Sequence, residues 1–217
     1  MRLTPRTIAD AILSVTLALT LSGAAACSLA GCSSPSLQGL TPAQSLVEDP
    51  GLTGEWVTEG RTVTRVTISP GAGRSYRGTL TVAHDGEFKT GLDVEIRLTD
   101  IDSQRYADLY LAKAERDRLI GRYGFLVLPV HQFMALERQG DTIRVWTFNS
   151  DWLRRAADAE RFPCVGLPLG EGDVPVITAD VDAMRAFLAR RGRDPGARAD
   201  PLIFRRVIPV SRPDSGG

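Results

Sequence analysis

The chain predicts a mainly β fold: an antiparallel up-and-down meander, strongly curved or closed into a barrel, with one or two C-terminal helices. Three observations carry that expectation. Apolar and polar residues alternate over 62–68, 76–84 and 92–98, most cleanly where Leu92, Val94, Ile96 and Leu98 interleave with Asp93, Glu95 and Arg97. That is the period of a strand with one wet face. Turn residues separate these runs, Pro70-Gly71-Ala72-Gly73 and then Asp85-Gly86, and glycine and aspartate tolerate the positive φ of tight hairpins. A helical stripe appears only late, where Val181, Met184, Phe187 and Leu188 recur on one face.

Taken from the amino terminus, residues 1–31 read as an export signal and not as part of the fold. Arg2 and Arg6 precede an apolar run over 11–21, broken only by Ser14, Thr16 and Thr20, and small residues follow. Leu29-Ala30-Gly31-Cys32 resembles the lipobox of bacterial lipoproteins. The resemblance implies that the signal peptide is cut before Cys32, that the Cys32 thiol takes a diacylglyceryl group, and that the new amino terminus is acylated, with palmitate as a fitting chain. Cys27 follows Ala24-Ala25-Ala26 and lacks the leucine. Two or three acyl chains anchor a protein to the lipid bilayer stably, each buried methylene adding ~0.8 kcal/mol. The expected localisation is therefore the cell envelope, lipid-anchored. With Ser33 and not aspartate after the cysteine, the resemblance implies the outer membrane in a Gram-negative cell. Residues 32–50 are rich in Ser, Pro, Gly and Gln and are expected to form a flexible tether. A single β-rich domain over 51–210 and a frayed tail over 211–217 complete the organisation.

Within the domain, 106–111 adds a strand, and 114–120 has helical composition. The stretch 125–136 places Phe125, Val127, His131 and Phe133 on one face, with Leu126, Leu128, Val130, Met134 and Leu136 on the other. A strand apolar on both faces is covered on both sides. Across Gln139-Gly140-Asp141 it forms a hairpin with 142–148, and the carboxy-terminal third supplies the cover. Asn149 or Ser150 is placed to cap a helix through Asp151, Trp152 and Leu153. Thr178 is placed to cap a second helix, which ends at Gly192 after Arg190 and Arg191, and a last strand spans 203–210.

Gly54-Glu55-Trp56 at the start of a meander, with a late helix and a final basic strand, resembles the lipocalin and wider calycin families. That resemblance implies a calycin-like barrel whose tryptophan, Trp56, is buried at one closed end beside Gly54. A late arginine, Arg205 or Arg206, would pack over its ring. The tyrosine of the second lipocalin motif is missing, since Ile101 follows Thr99-Asp100. The chain is also similar to a type of uncharacterised bacterial envelope lipoprotein in three places: Pro129-Val130-His131-Gln132-Phe133, Gly140-Asp141 and Asp151-Trp152-Leu153. This similarity carries no activity with it.

The chemistry-bearing residues are few. Twenty-six basic and 26 acidic side chains give a formal charge of +0 and a pI near 6.7, which removes the electrostatic attraction that nucleic-acid binding needs. Neither histidine, His84 or His131, belongs to a metal-ligand spacing, and no nucleophile, phosphate-cradling or dinucleotide motif occurs, so no catalytic residue, metal or cofactor is expected. His131 reads as a core imidazole bonded to backbone or carboxylate, and His84 as a turn residue. Cys164 reads as a small buried side chain. Asp100 and Asp102 flank Ile101 as loop acids, with calcium as the alternative. The sequence thus points to a non-enzymatic envelope lipoprotein whose barrel binds a small apolar or amphipathic ligand. The alternative is a structural or adaptor lipoprotein with a solid barrel that docks another envelope protein. A binder needs an apolar cavity of roughly 300 Å³ or more.

Overall fold

The alternating runs pair with their neighbours in sequence. In the computed structural model, which describes residues 35–59, 62–84, 87–88, 91–123, 129–169 and 172–208, the chain begins with two short strands, β1 (Pro35–Ser36) and β2 (Leu46–Val47). The meander follows as β3 (Gly54–Thr58), β4 (Thr62–Pro70), β5 (Tyr76–His84), β6 (Glu87–Phe88), β7 (Leu92–Ile101) and β8 (Gln104–Leu111). Helix α1 (Lys113–Tyr123) leads to the hairpin β9 (His131–Gln139) and β10 (Thr142–Trp146). The carboxy-terminal third holds α2 (Ser150–Glu160), the hairpin β11 (Cys164–Leu169) and β12 (Gly172–Ile177), α3 (Val181–Arg191) and β13 (Leu202–Arg206).

β3, β4, β5, β7, β8, β9 and β10 pair antiparallel in that order, and β13 joins β10 back to β3. Eight strands thereby close into an antiparallel barrel. The turn residues act as their chemistry requires. Pro70 faces Tyr76 across a loop in which the Gly71 N–H donates to the Ser75 carbonyl and Gly73 takes φ +62°. Gln139 faces Thr142, leaving the two-residue turn Gly140-Asp141 with Gly140 at φ +59°. Asp85-Gly86 lies outside the described residues, between the paired His84 and Glu87 of β5 and β6.

Alternation sorts the side chains into two cores. Val66, Ile96, Leu98, Leu136, Ile143 and Phe204 fill the barrel interior. Tyr106, Phe133 and Ala135 point the other way and are covered by Trp152 and Leu153 of α2 and by Met184 and Phe187 of α3. β9 is thus buried on both faces, with Phe133 towards the helices and Met134 towards the interior. Its strand starts only at His131. Pro129 and Val130 precede it as irregular chain, since a proline has no N–H for the ladder, and 124–128 lie outside the described residues. The last strand is likewise shorter than 203–210 and ends at Arg206.

Two further expectations need correction. Residues 35–50 are no tether. β1 pairs with both β9 and β12, β2 takes up the part of β7 beyond the end of β5, and Leu40 is fully buried in the helix-side core. Composition misled because small and polar residues are also what a close-packed connecting segment uses: a Cβ at Gly39 would sit 3.1 Å from both Asp108 and His131. Helix α3 is capped by Asp180, whose carboxylate accepts the Ala183 N–H at 2.8 Å, and not by Thr178. The helix does end at Gly192, at φ −62°, after Arg190 and Arg191. A Cβ there would lie 2.6 Å from the Tyr106 hydroxyl, which explains the glycine by close approach.

Candidate functional site

The barrel has one sealed end, and the seal is built from both ends of the domain. Trp56 on β3 is 0% exposed and donates its indole N–H to the Leu52 carbonyl at 2.8 Å. Arg206 on β13, paired in register with Trp56, lays its guanidinium 4.2 Å from the ring centroid and donates to the carbonyls of Thr53 and Gly51. Gly54, at φ +139°, leaves the space that this arginine occupies. Arg205 points outward to Glu59 at 3.0 Å and takes no part. The turn at 50–52 drives Leu52 into the barrel beneath Trp56, held by Asp49, which accepts Arg138 through both carboxylate oxygens at 2.8 and 2.9 Å. The side-chain hydrogen bond from Arg138 holds the Asp49 carboxyl below the ordinary carboxylate range, against the opposing effect of burial.

Above that floor the interior keeps an apolar cavity of about 80 Å³. Leu52 forms its base, Val66, Ile96 and Ile143 its wall, and Leu80, Leu109 and Leu202 stand towards the opposite rim. Among the described residues no polar surface lines it, although Thr64 contributes its methyl side. Thr64 is tied to Thr58 through its backbone N–H, donated to the Thr58 hydroxyl at 2.8 Å. The cavity offers shape and apolar surface, and no group able to donate, accept or move a proton.

The second constellation lies outside the barrel. His131 opens β9 and Asp108 lies across from Phe133 on β8, both facing the helix layer. The imidazole Nδ1 is 2.8 Å from one Asp108 oxygen, and the Leu40 N–H donates to the other at 2.8 Å. The Asp108 side chain is 1% exposed, so a buried carboxylate is satisfied by two donors. Tyr110 stacks on the imidazole at 4.1 Å, and the Arg116 guanidinium lies 4.4 Å from the Tyr110 ring. A His–Asp pair has the form of a general base, but among the described residues no hydroxyl or thiol is bonded to this one. Its contacts fasten the segment around Leu40 to the sheet.

The remaining sequence candidates are dispersed. Cys32 and Cys27 lie outside the described residues, as do the lipobox residues before them. His84 closes β5, far from His131 in the strand order. Burial raises the pKa of the Cys164 thiol, and Asp158 adds to the effect, which disfavours the thiolate. Asp100 is bound by Arg105 at 2.9 Å and Asp102 faces Arg193 at 3.5 Å, so both carboxylates are directed at guanidinium groups. Among the described residues no three His, Cys, Asp or Glu side chains converge as a metal site, and no helix is long and apolar enough to cross a membrane. Sequence reasoning missed Leu52, Asp49 and Asp108, each placed by a partner more than twenty residues away or by a turn with no periodic signal. Comparison with family models, with curated proteins and with solved structures returned no match.

Proposed function

We propose that this chain is a membrane-anchored envelope lipoprotein, not an enzyme, whose barrel takes up one slim apolar or amphipathic molecule. The observation that supports the reading is the cavity: apolar among the described residues, floored by Leu52, and walled by the barrel strands. Its volume, about 80 Å³, is well under the ~300 Å³ at which pockets for drug-sized ligands begin. The ligand is therefore one that inserts a narrow end, such as the tail of an acyl chain, and leaves any polar end at the rim. Each methylene so buried contributes about 0.8 kcal/mol.

The same small volume favours a second reading, a solid barrel that serves as an adaptor for another envelope protein. Titration of the soluble Cys32→Ser chain with cis-parinaric acid, a linear fluorescent fatty acid, separates the two. Ala107 lines the cavity, and Ala107→Leu fills it without removing a contact. The binding reading expects saturable fluorescence enhancement that this variant abolishes while its Tm is kept or raised. Absence of binding to the unsubstituted barrel, or equal binding by the filled one, favours the adaptor.

A further inference from the structure

We infer that the edge strand β11 rests its exposed apolar side chains on the lipid bilayer that holds the acyl chains. The inference rests on the reading of Cys32 as the acylated residue, and adds to it an orientation of the domain.

The register of three strands carries the argument. β1 begins at Pro35, three residues after Cys32, and a chain spans at most about 3.3–3.6 Å per residue, so the acylated residue lies within about 11 Å of Pro35. β1 runs parallel to β12 with Ser36 beside Ile177, which sets Pro35 level with Val176. Val176 pairs in turn with Val165 of β11. Neighbouring strands are about 4.8 Å apart, which places the Val165 backbone about 10 Å from Pro35. Leu167, paired with Val174, lies two residues further on, on the side from which the chain enters β1.

Alternation then decides which face looks out. Ile177 and Cys164 are cross-strand partners and pack into the helix-side core, and Ser36 beside them turns its hydroxyl to Met184. Val165 and Leu167 project to the other face, where Val176, the β12 partner of Val165, is only 2% exposed, so the open part of that face is the edge strand β11. Val165 is 47% and Leu167 36% exposed. Two large apolar side chains of one edge strand thus stand exposed within reach of the residue from which acyl chains would enter the membrane. β11 is the outer edge of the sheet, and its Gly166 and Pro168 discourage addition of a further strand, which disfavours a second copy as the occupant.

The test uses the full-length acylated protein in vesicles of phosphatidylethanolamine and phosphatidylglycerol. Nitroxide labels are placed at Val165→Cys and Leu167→Cys in a Cys164→Ser background. A control label at Thr67→Cys sits on the exposed face of β4, on the opposite wall of the barrel. The ratio of collision with oxygen to collision with a water-soluble nickel chelate should rise several-fold at positions 165 and 167, relative to the same labels on the soluble Cys32→Ser chain. It should not change at position 67. Flotation with the vesicles at an unchanged ratio would overturn the docking while leaving the anchor in place. Failure of the native protein to float would remove the anchor and the docking together. Shielded labels and a doubled mass in the soluble chain would assign the face to a second copy and overturn the bilayer assignment.

Discussion

At the sealed end of the barrel one carboxylate joins two distant stretches of chain. Asp49 caps the turn at 50–52 through the Gly51 N–H, accepts both Arg138 contacts from β9, and lies 3.7 Å from Arg105 on β8. Gly51 belongs to the same device, because a Cβ there would fall 2.4 Å from the Arg138 guanidinium carbon. The folded-state pKa of Asp49 is depressed, chiefly by the Arg138 hydrogen bond. A depressed carboxylate pKa stabilises the fold at pH above the unfolded value, ~3.9, and that stability is lost as pH falls through the folded value. Asp49→Asn should therefore cost about 2 kcal/mol near neutral pH, a fall in Tm of roughly 4–8 °C for a domain of this size. The difference from the native chain should shrink as the pH is lowered through 4 towards 2. Thermal scans by circular dichroism over that range check it; a difference that stays constant down to pH 2 sinks the assignment.

Element by element, the barrel depends on phase. In β7, Val94, Ile96 and Leu98 enter the interior core, while Glu95 and Arg97 pair with each other on the outside at 2.8 Å. Val94→Asp would bury an unpaired carboxylate among apolar side chains, at a cost of several kcal/mol, and should leave the domain unfolded at 25 °C. Glu95→Gln should shift stability by less than about 0.5 kcal/mol. Urea unfolding of the two variants gives the answer, and similar midpoints for both would contradict the strand phase. The helices obey capping chemistry in the same way. Asn149 accepts the Trp152 N–H at 3.0 Å to start α2, and Arg190 at the end of α3 reaches Glu160 at 2.7 Å to hold the two helices together.

For the whole molecule, the central fact is that the fold starts so soon after Cys32. With β1 at Pro35 and Leu40 fully buried, an acylated Cys32 leaves no long leash between domain and membrane. Cys32→Ser should move the protein from the membrane fraction to the soluble fraction, or leave it as an uncleaved precursor, because the acylated thiol is the proposed attachment. Cys27→Ser should do neither. Fractionation, with intact mass measured on the membrane-bound form, checks both, and a Cys32 variant still cut and still retained by membranes would exclude the anchor.

Much of the barrel was legible because its causes are local. A period of two over 62–68, 76–84 and 92–98 sets strand and facing, Gly140-Asp141 sets a two-residue turn, and Asn149 sets a helix start. The two-sided burial of β9 was legible too, from Phe133 and Met134 standing side by side. What depended on distant partners was not. The choice of Arg206 over Arg205 follows from the register of β13 against β3, since a one-residue difference sends the side chain to the opposite face. The ordering of residues 35–50 requires Asp108, Arg138 and β12, all far along the chain, and no local composition announces them. His131 was rightly read as carboxylate-bonded or backbone-bonded, but its partner Asp108 became visible only once β8 and β9 were laid side by side. The sequence by itself determined the alternation, and with it an antiparallel β domain. The volume left inside the barrel was decided only by the tertiary structure, because a cavity is the difference between the space that eight strands enclose and the side chains that enter it.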